Sequence, residues 1–412
     1  MKSIILTILL IITTNVYAEQ AKESVDNALT ADDTKSQPTD SAHQNLRELT
    51  AEACQFCHQK IYQQWKGSMH ANSSALKDPI HGTFYQNVVG DPLEEGVKKK
   101  DKYPVCLYCH APQAALAQKT KLDAKPTYND GVNCITCHTL KRYNGIRRPD
   151  GTFDLGIQSY EMSDLLQGSS GKTFSASPKP PNPPDFHPYP IEGNTVLLRT
   201  TDACMGCHDQ RNNIHDVPLC ETGVEFKEGG AFNCQQCHMP INDGIADHSM
   251  HGGHNEHVLK RGVILTLSVS PNGETLKTVI TVENTLSHNM PTGAPFRNMF
   301  LKLTAFDSNG KPLWHNFKEH PIKEDKQAMF MLALVDDEGK SAPPPKAKRI
   351  ATDTRLKPKE RRVLNYTIPA SGVTLIQAEM MYDLLLPPFK KFPTIPDELK
   401  AEKVIARAEY RL

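Results

Sequence analysis

The sequence predicts a mixed fold class: a loop-rich, mainly α N-terminal part followed by an all-β part with an Ig-like sandwich. Two observations predict it. All 11 cysteines and most of the 17 histidines lie between Cys54 and His257. Beyond that point cysteine is absent, and apolar and polar residues alternate with the period of a β-strand. The predicted segment boundaries are 1–18, 19–50, 51–257 and 258–412.

Residues 1–18 predict a signal peptide. Lys2 supplies a positive n-region, Ile4 to Ile12 is almost entirely Leu and Ile, and the segment ends at Ala18. The apolar run is about half of the roughly twenty residues that a spanning helix needs, so an uncleaved membrane anchor is the weaker alternative. We expect a soluble, exported protein cleaved near Ala18, located in the periplasm or at the cell surface.

The amino-acid composition predicts where the chain is irregular and how its core is filled. Residues 19–50 are polar and predict a disordered linker, and residues 178–190 contain seven prolines and predict an extended surface insertion. The apolar content of 38% is below the usual 45–50%, so we expect something other than side chains to fill part of the core. A formal charge of zero argues against nucleic-acid binding.

The C-terminal part shows repeated strand signals. Residues Val263 to Ser270 alternate, Asn272-Gly273 predicts a hairpin turn, and Leu276 to Val282 reads as the returning strand. Six or seven short strands of this kind predict a β-sandwich. The further predicted strands are Met299–Phe306, Met329–Val335, Arg362–Ile368 and Ala378–Leu386.

Five segments share the pattern Cys-x-x-Cys-His. Two thiols separated by two residues can each form a thioether to haem, and the next residue presents its imidazole to the iron, which is the attachment signal of c-type haem. Zinc pairs and redox disulfides are the alternatives, but neither explains the recurrent histidine. The predicted thioether residues are Cys54, Cys57, Cys106, Cys109, Cys134, Cys137, Cys204, Cys207, Cys234 and Cys237, and the predicted proximal ligands are His58, His110, His138, His208 and His238.

The sequence therefore predicts five covalently attached haems within residues 51–257. The remaining cysteine, Cys220, is expected to be a buried free thiol without a catalytic role. Successive motifs begin 52, 28, 70 and 30 residues apart, and the two short gaps predict that the second haem pairs with the third and the fourth with the fifth. Haems packed so closely would fill the core and pass electrons rapidly.

The second axial ligand of each iron sets its potential and reactivity. His70 is the leading candidate, because a predicted helix through Trp65 returns it towards a haem. One or two of the histidines in the string from His248 to His257 are expected to ligate, although a separate metal site there is an alternative. Mostly bis-His irons are expected, with methionine as the alternative ligand. The candidate distal ligands are His70, His254, His288, His248, His81 and His215, and His187 ranks lower because of its proline-rich segment.

The sequence resembles a known family. Residues 61–70 after the first motif, and Gly131-Val132-Asn133 before the third, resemble the multihaem cytochromes related to the tetrahaem electron acceptor of hydroxylamine oxidoreductase. Residues 237–240, His254, and His288 with its Pro-Thr-Gly sequence are similar to a subgroup with a C-terminal β-sandwich. The resemblance implies that His70, His254 and His288 are distal ligands. The proline-rich insertion departs from the family pattern and leaves the distal ligand of the third haem open.

These features favour an electron carrier over an enzyme. The carrier would act in respiratory or extracellular electron transfer, between redox partners such as a quinol oxidase and a terminal reductase, with peripheral or outer-membrane association left open. One alternative is an oxidoreductase acting on a small nitrogen or sulfur compound at an open-coordinate haem. The other is a subunit of a homo-oligomeric haem wire or filament.

Overall fold

A computed structural model describes residues 45–176, 187–229 and 232–412. The predicted signal peptide (1–18), most of the predicted linker (19–50) and most of the proline-rich insertion (178–190) lie outside these residues. Residues Leu46–Leu412 form one compact unit. The division of this unit into two domains at residue 258 stays a prediction.

Short helices joined by loops make up the N-terminal part, and the longest of them in the described ranges has 10 residues. The helices are α1 (Glu52–Gln55), α2 (Gln59–Lys66), α3 (Pro79–Val88), α4 (Leu107–His110), α5 (Pro112–Leu116), α6 (Cys134–His138), α7 (Thr195–Leu198), α8 (Asp202–His208), α9 (Thr222–Gly229), α10 (Cys234–His238), α11 (Glu256–Lys260), α12 (Pro321–Glu324) and α13 (Asp397–Lys400). Turns of 3-10 helix occur at Leu46–Glu48, Pro126–Tyr128, Gly156–Ser159, Lys326–Ala328, Pro344–Lys346 and Phe389–Lys391. Across the part of the chain that the structure describes, no helix has the length and apolar character needed to cross a membrane.

Strands occur in both parts, but only the C-terminal ones form large sheets. Short two-stranded pairs are made by β1 (Leu140–Tyr143), β2 (Tyr160–Met162), β3 (Leu166–Gly168), β4 (Ile191–Gly193), β5 (Arg211–Asn212), β6 (Pro218–Cys220), β7 (Ile241–Asn242) and β8 (Ile245–Ala246). The large sheets contain β9 (Val263–Asn272), β10 (Thr275–Asn284), β11 (Asn298–Phe306), β12 (Pro312–His315), β13 (Met329–Val335), β14 (Arg349–Asp353), β15 (Arg361–Pro369), β16 (Leu375–Asp383) and β17 (Lys403–Arg411).

The C-terminal strands form two antiparallel sheets that share one apolar core. One sheet has the order β15-β10-β9, and the other has the order β14-β13-β11-β16-β17 with β12 paired to β11. Ile280 and Val282 of β10 lie in the same buried cluster as Leu301 and Leu303 of β11. The mixed fold class, helical at the N-terminal end and rich in β-sheet at the C-terminal end, is therefore confirmed.

The first hairpin forms where the sequence predicts it. Asn272 of β9 pairs with Thr275 of β10, so the loop between them has two residues. Gly273 adopts φ +62°, in the left-handed region that glycine enters without a steric penalty.

Apolar residues in the N-terminal part gather in several small groups. The largest of these groups includes Tyr85, Leu107, Ala114 and Leu122, and it is separate from the cluster inside the sandwich. Small separate clusters are consistent with the expectation that side chains alone do not fill this part of the protein.

Candidate haem sites

Each Cys-x-x-Cys-His motif lies on or beside a helical turn, namely α1, α4, α6, α8 and α10. Two of these turns have asparagine caps. Asn133 accepts a hydrogen bond from the backbone N–H of Thr136 (2.9 Å), and Asn233 accepts one from that of Gln236 (3.0 Å). A capped first turn orders the segment so that cysteines three residues apart face the same side.

His70 is positioned by the segment that precedes the third motif. Val132 donates its backbone N–H to the carbonyl of His70 (2.9 Å), and the Trp65 indole donates to the carbonyl of Val132 (2.8 Å). Gly131 adopts φ +68°, and a Cβ there would lie 2.3 Å from the carbonyl oxygen of His70. Only glycine permits this approach, so the Gly-Val-Asn sequence has a structural role in placing His70.

Three motif histidines face a second histidine at nearly the same separation. A metal–nitrogen bond to histidine is about 2.0–2.1 Å long, and the nitrogen is roughly 1.1 Å from the centre of its ring. Two imidazoles on opposite sides of one iron would therefore have ring centres about 6.3 Å apart. The observed separations therefore fit one iron between each pair of rings. They are 6.4 Å for His58 and His187, 6.1 Å for His208 and His70, and 6.4 Å for His238 and His288.

Many of these rings are oriented by the nitrogen that faces away from the predicted iron. Their Nδ1 atoms lie 2.7–3.1 Å from backbone carbonyl oxygens. A metal-binding histidine commonly donates its other N–H to such an acceptor, which fixes the tautomer and leaves Nε2 for the metal. The pairs are His110 with Ser73, His138 with Gln167, His187 with Tyr189, His238 with His251, His248 with Ala246, and His288 with Asn289.

The third motif histidine, His138, lies near two other imidazoles. Burial lowers the pKa of His138, and the charges of His248 and His187 lower it further. Because His187 also faces His58, His248 is the candidate partner of His138. Burial likewise lowers the pKa of His70 to about 4 and that of His208 to about 3, so both rings are neutral at pH 7, as iron ligation requires.

The second motif differs from the other four. His81 stacks on His110 with the ring centres only 3.9 Å apart, which leaves no space for an iron between them. The Nδ1 atoms of both rings approach the same carbonyl, that of Ser73, at 3.0 and 3.1 Å. His81 Nε2 and the hydroxyl of Tyr85 are buried without a hydrogen-bond partner. The candidate second haem therefore has unpaired polar groups beside its proximal ligand.

Two candidate distal ligands are not brought to a motif histidine. His215 is exposed at the surface. His254 lies near Arg297 and Lys403, and burial, followed by these two charges, lowers its pKa to about 4. Within the described ranges, no group of three or more His, Cys, Asp or Glu side chains forms a separate metal site.

The structure brings His187 to a motif histidine although its sequence context ranked it low. His187 ranked low because it lies in a proline-rich segment, and such a segment is typical of a surface insertion. A count of the ligands needed, one non-motif histidine for each of five irons, would have kept it among the candidates. All of these ligand assignments stay predictions.

Thiols of different motifs approach each other and indicate which haem sites are neighbours. Three contacts bring thiols within hydrogen-bonding reach: Cys54 with Cys134, Cys109 with Cys207, and Cys204 with Cys234. The first site is therefore adjacent to the third, the second to the fourth, and the fourth to the fifth. The fourth and fifth sites are paired as their spacing predicts. The second site also approaches the fourth, a neighbour that the spacing of the motifs does not predict. The pairing of the second haem with the third stays a prediction.

The cysteine outside the motifs, Cys220, is half-buried in β6, opposite Arg211 of β5. Burial raises the pKa of its thiol. A protonated, partly buried thiol has low nucleophilicity.

Five motifs with the required cysteine spacing, and histidines set at iron-spanning separations, define a class of protein: a c-type cytochrome with several haems. The donor set fits haem, since each motif supplies two sulfurs and an imidazole, and three of the motif histidines face a second imidazole at 6.1–6.4 Å. Haem c bound at such sites supplies one-electron redox chemistry.

The comparisons with known proteins narrow the class. Residues 53–139 match the family described as cytochrome c554 and c-prime. A penta-haem cytochrome c552 from Thermochromatium tepidum is 49% identical, with a TM-score of 0.84 over 90% of this chain and 100% of that chain. A DUF1425 family member from Shewanella sp. pv-4 aligns with 29% of this chain and 73% of that one, at 13% identity and a TM-score of 0.15, which is too weak to bear on fold or function. A search of curated proteins finds no match.

The chain therefore belongs to the multihaem cytochrome c family that includes this penta-haem cytochrome c552, and it carries five covalently bound c-type haems.

Proposed function

We propose that the protein is an exported electron carrier that passes electrons along closely packed, mostly bis-His haems in respiratory or extracellular electron transfer. The main support for this proposal is that three motif histidines each face a second histidine, with the ring centres 6.1–6.4 Å apart. An iron with two imidazole ligands has no open position for a substrate, so it exchanges electrons without binding one.

The thiol contacts support an order of transfer. They favour a path from the first site to the third, and a separate group in which the fourth site contacts both the second and the fifth. Cys137 of the third motif also lies close enough to Cys204 of the fourth to raise the pKa of its thiol, which supports a link between the third and fourth sites. These links form a branched arrangement with the first, second and fifth sites at its ends. Haems at such ends would exchange electrons with redox protein partners, such as a quinol oxidase and a terminal reductase.

The proposed location is the periplasm or the cell surface, after cleavage near Ala18. A relation to the electron acceptor of hydroxylamine oxidoreductase, within a subgroup with a C-terminal β-sandwich, is part of the same proposal. It is supported by the residues around His70 and His288 that resemble that family.

A second candidate function is catalysis at the second haem. It is favoured by the 3.9 Å stacking of His81 on His110, which leaves His81 unable to ligate from its present position. The Tyr85 ring lies edge-on to the His81 ring, with the ring centres 5.9 Å apart, and its hydroxyl is buried without a hydrogen-bond partner. Such a hydroxyl is a candidate hydrogen-bond donor to a small nitrogen or sulfur compound.

One experiment tests both candidates. The mature holoprotein is reduced with dithionite and exposed to carbon monoxide, which binds only ferrous haem with an open or weakly held position. We expect the first, third, fourth and fifth haems to give sharp low-spin bands that do not shift when carbon monoxide is added. Binding at the second haem alone would direct nitrite and hydroxylamine assays to that site, and binding at several haems would contradict the carrier proposal.

A further inference from the structure

The loop that carries His288 joins β10 to β11 and is tied to a second segment of the sheet-rich part. Met290 and Leu356 exchange two backbone hydrogen bonds, of 2.8 and 3.0 Å. The Asn284 side chain donates to the carbonyls of His288 and Lys357, both at 2.8 Å. The loop and the residues beside Arg355 therefore move as one piece.

The Glu225 carboxylate, from the helical part, contacts both of these segments. Glu225 lies on α9 and is 4% exposed. Its Oε2 atom accepts from the backbone N–H of Asn289 (3.2 Å) and from the hydroxyl of Thr292 (2.5 Å). Its Oε1 atom accepts from Nη1 of Arg355 (2.5 Å). Glu225 thus joins the helical part both to the predicted ligand loop and to the segment that contains Arg355.

Two charges at this junction, Glu225 and Arg355, are buried and paired with each other. Arg355 is 7% exposed, and its guanidinium also donates to Glu221 (2.5 Å) and Asp353 (2.7 Å). A buried ion pair contributes little net stability compared with apolar residues, but it fixes geometry because an unpaired buried charge is so unfavourable. The ion pairs around Arg355 therefore contribute more to the position of the joined segments than to the stability of the fold.

A short chain of hydrogen bonds leads from this carboxylate to the predicted iron ligand. Glu225 receives the N–H of Asn289, and the carbonyl oxygen of Asn289 lies 2.9 Å from Nδ1 of His288. The His288 ring faces His238 with 20° between the ring planes. The acceptor on Nδ1 sets both the tautomer and the orientation of the imidazole.

We propose that Glu225 is a positioning residue for the fifth haem: it holds the Asn289 carbonyl in place and thereby aligns His288 on the iron opposite His238. This inference rests on the proposed ligation of the fifth haem by those two histidines. A residue of the helical part would thus set the orientation of an iron ligand that the sheet-rich part supplies.

The test uses the full-length holoprotein with substitutions that differ in charge. Glu225→Gln weakens acceptance from Asn289 and removes the charge. Thr292→Val removes the hydrogen bond to Glu225, together with the one to the hydroxyl of Thr222 (2.9 Å), without changing any charge. Thr292→Ser is the conservative variant that retains the hydroxyl. Thr304→Val is the matched control, because it deletes a buried threonine hydroxyl bonded to His315, on β11 outside this network. Electron paramagnetic resonance of the oxidised protein and carbon monoxide binding of the reduced protein are recorded for each.

We expect Glu225→Gln and Thr292→Val to change the resonance of one low-spin haem and to create a carbon monoxide-binding haem, with the bound haem count unchanged. Thr292→Ser and Thr304→Val should resemble the wild type. Wild-type spectra for Thr292→Val, together with either wild-type spectra or failure to fold for Glu225→Gln, would overturn the inference.

A His288→Ala variant separates this inference from the proposed function. If His288→Ala opens one haem to carbon monoxide while Glu225→Gln and Thr292→Val do not, only the positioning role is wrong. If His288→Ala leaves all spectra unchanged, the proposed ligation itself is wrong.

Discussion

Arg211 offers a direct test of how protein charge sets a haem potential. Its side chain is 6% exposed, and the guanidinium donates to the carbonyls of Gly206 and Cys207 (3.3 Å to the latter). These carbonyls belong to α8, which ends at the predicted fourth proximal ligand, His208. Among the described residues, no carboxylate forms an ion pair with Arg211, so a buried positive charge lies beside the fourth haem site.

A fixed positive charge favours the reduced form of a nearby iron, which carries one positive charge fewer. At a separation of about 10 Å and an effective dielectric constant of about 20, one charge contributes about 1.7 kcal/mol. At about 2.3 kcal/mol per 100 mV for one electron, this corresponds to about 70 mV. We therefore expect Arg211→Met to lower one of the five reduction potentials by roughly this amount, and Arg211→Lys to lower it much less.

The assay is an optical redox titration with mediators, fitted to five one-electron components and repeated in paramagnetic resonance to identify the shifted haem. Haem content measured in alkaline pyridine confirms that all haems are attached in each variant. If the five reduction potentials of Arg211→Met all match those of the wild type, the reasoning is refuted. An upward shift would also refute it, because it would mean that Arg211 stabilises the ferric form.

Three further predictions concern the ligands and the sandwich. His187→Ala should raise the number of carbon monoxide-binding haems by one, because His187 faces His58 at 6.4 Å, whereas the exposed His215→Ala should not; equal binding in both would contradict the assignment. Burial raises the pKa of Asp383 to about 6 from 3.8, so the folded state favours the neutral acid and loses stability as the pH rises between those values. Asp383→Asn also removes the ion pair with Lys390, so the prediction concerns the pH dependence: the unfolding free energy of the variant relative to the wild type should rise by up to about 3 kcal/mol between pH 4 and pH 7.5. The measurement is denaturant unfolding at both pH values, and a pH-independent difference would count against this. Ile280→Ala should destabilise by about 2–5 kcal/mol because Ile280 is fully buried, whereas Val363→Ala, at 51% exposure, should change the unfolding free energy by less than about 0.5 kcal/mol; similar losses would be the contrary result.

Strands were predictable where one face is buried. β9, β10, β11, β13 and β15 show regular apolar positions. β13 has the predicted ends, and the ends of the other four differ from the prediction by at most two residues. β16 both begins and ends three residues earlier than the predicted Ala378–Leu386. β12, β14 and β17 were missed: β14 is exposed throughout, β12 has four residues, and the Lys, Ala and Arg content of β17 favours helix. Their strand conformation depends on pairing with neighbours, which a local pattern does not show.

By itself, the sequence determined the cofactor chemistry, because haem attachment requires a fixed local spacing of two cysteines and a histidine. It also determined the fold class, since the period of burial is local. Only the tertiary structure decided which histidine lies opposite which motif and which haem sites touch, because these relations join segments far apart in the chain. His187, 129 residues from His58, and the contact between the second and fourth motifs are of this kind. Distant contacts depend on how loops fold around five haems, and no local pattern encodes that arrangement.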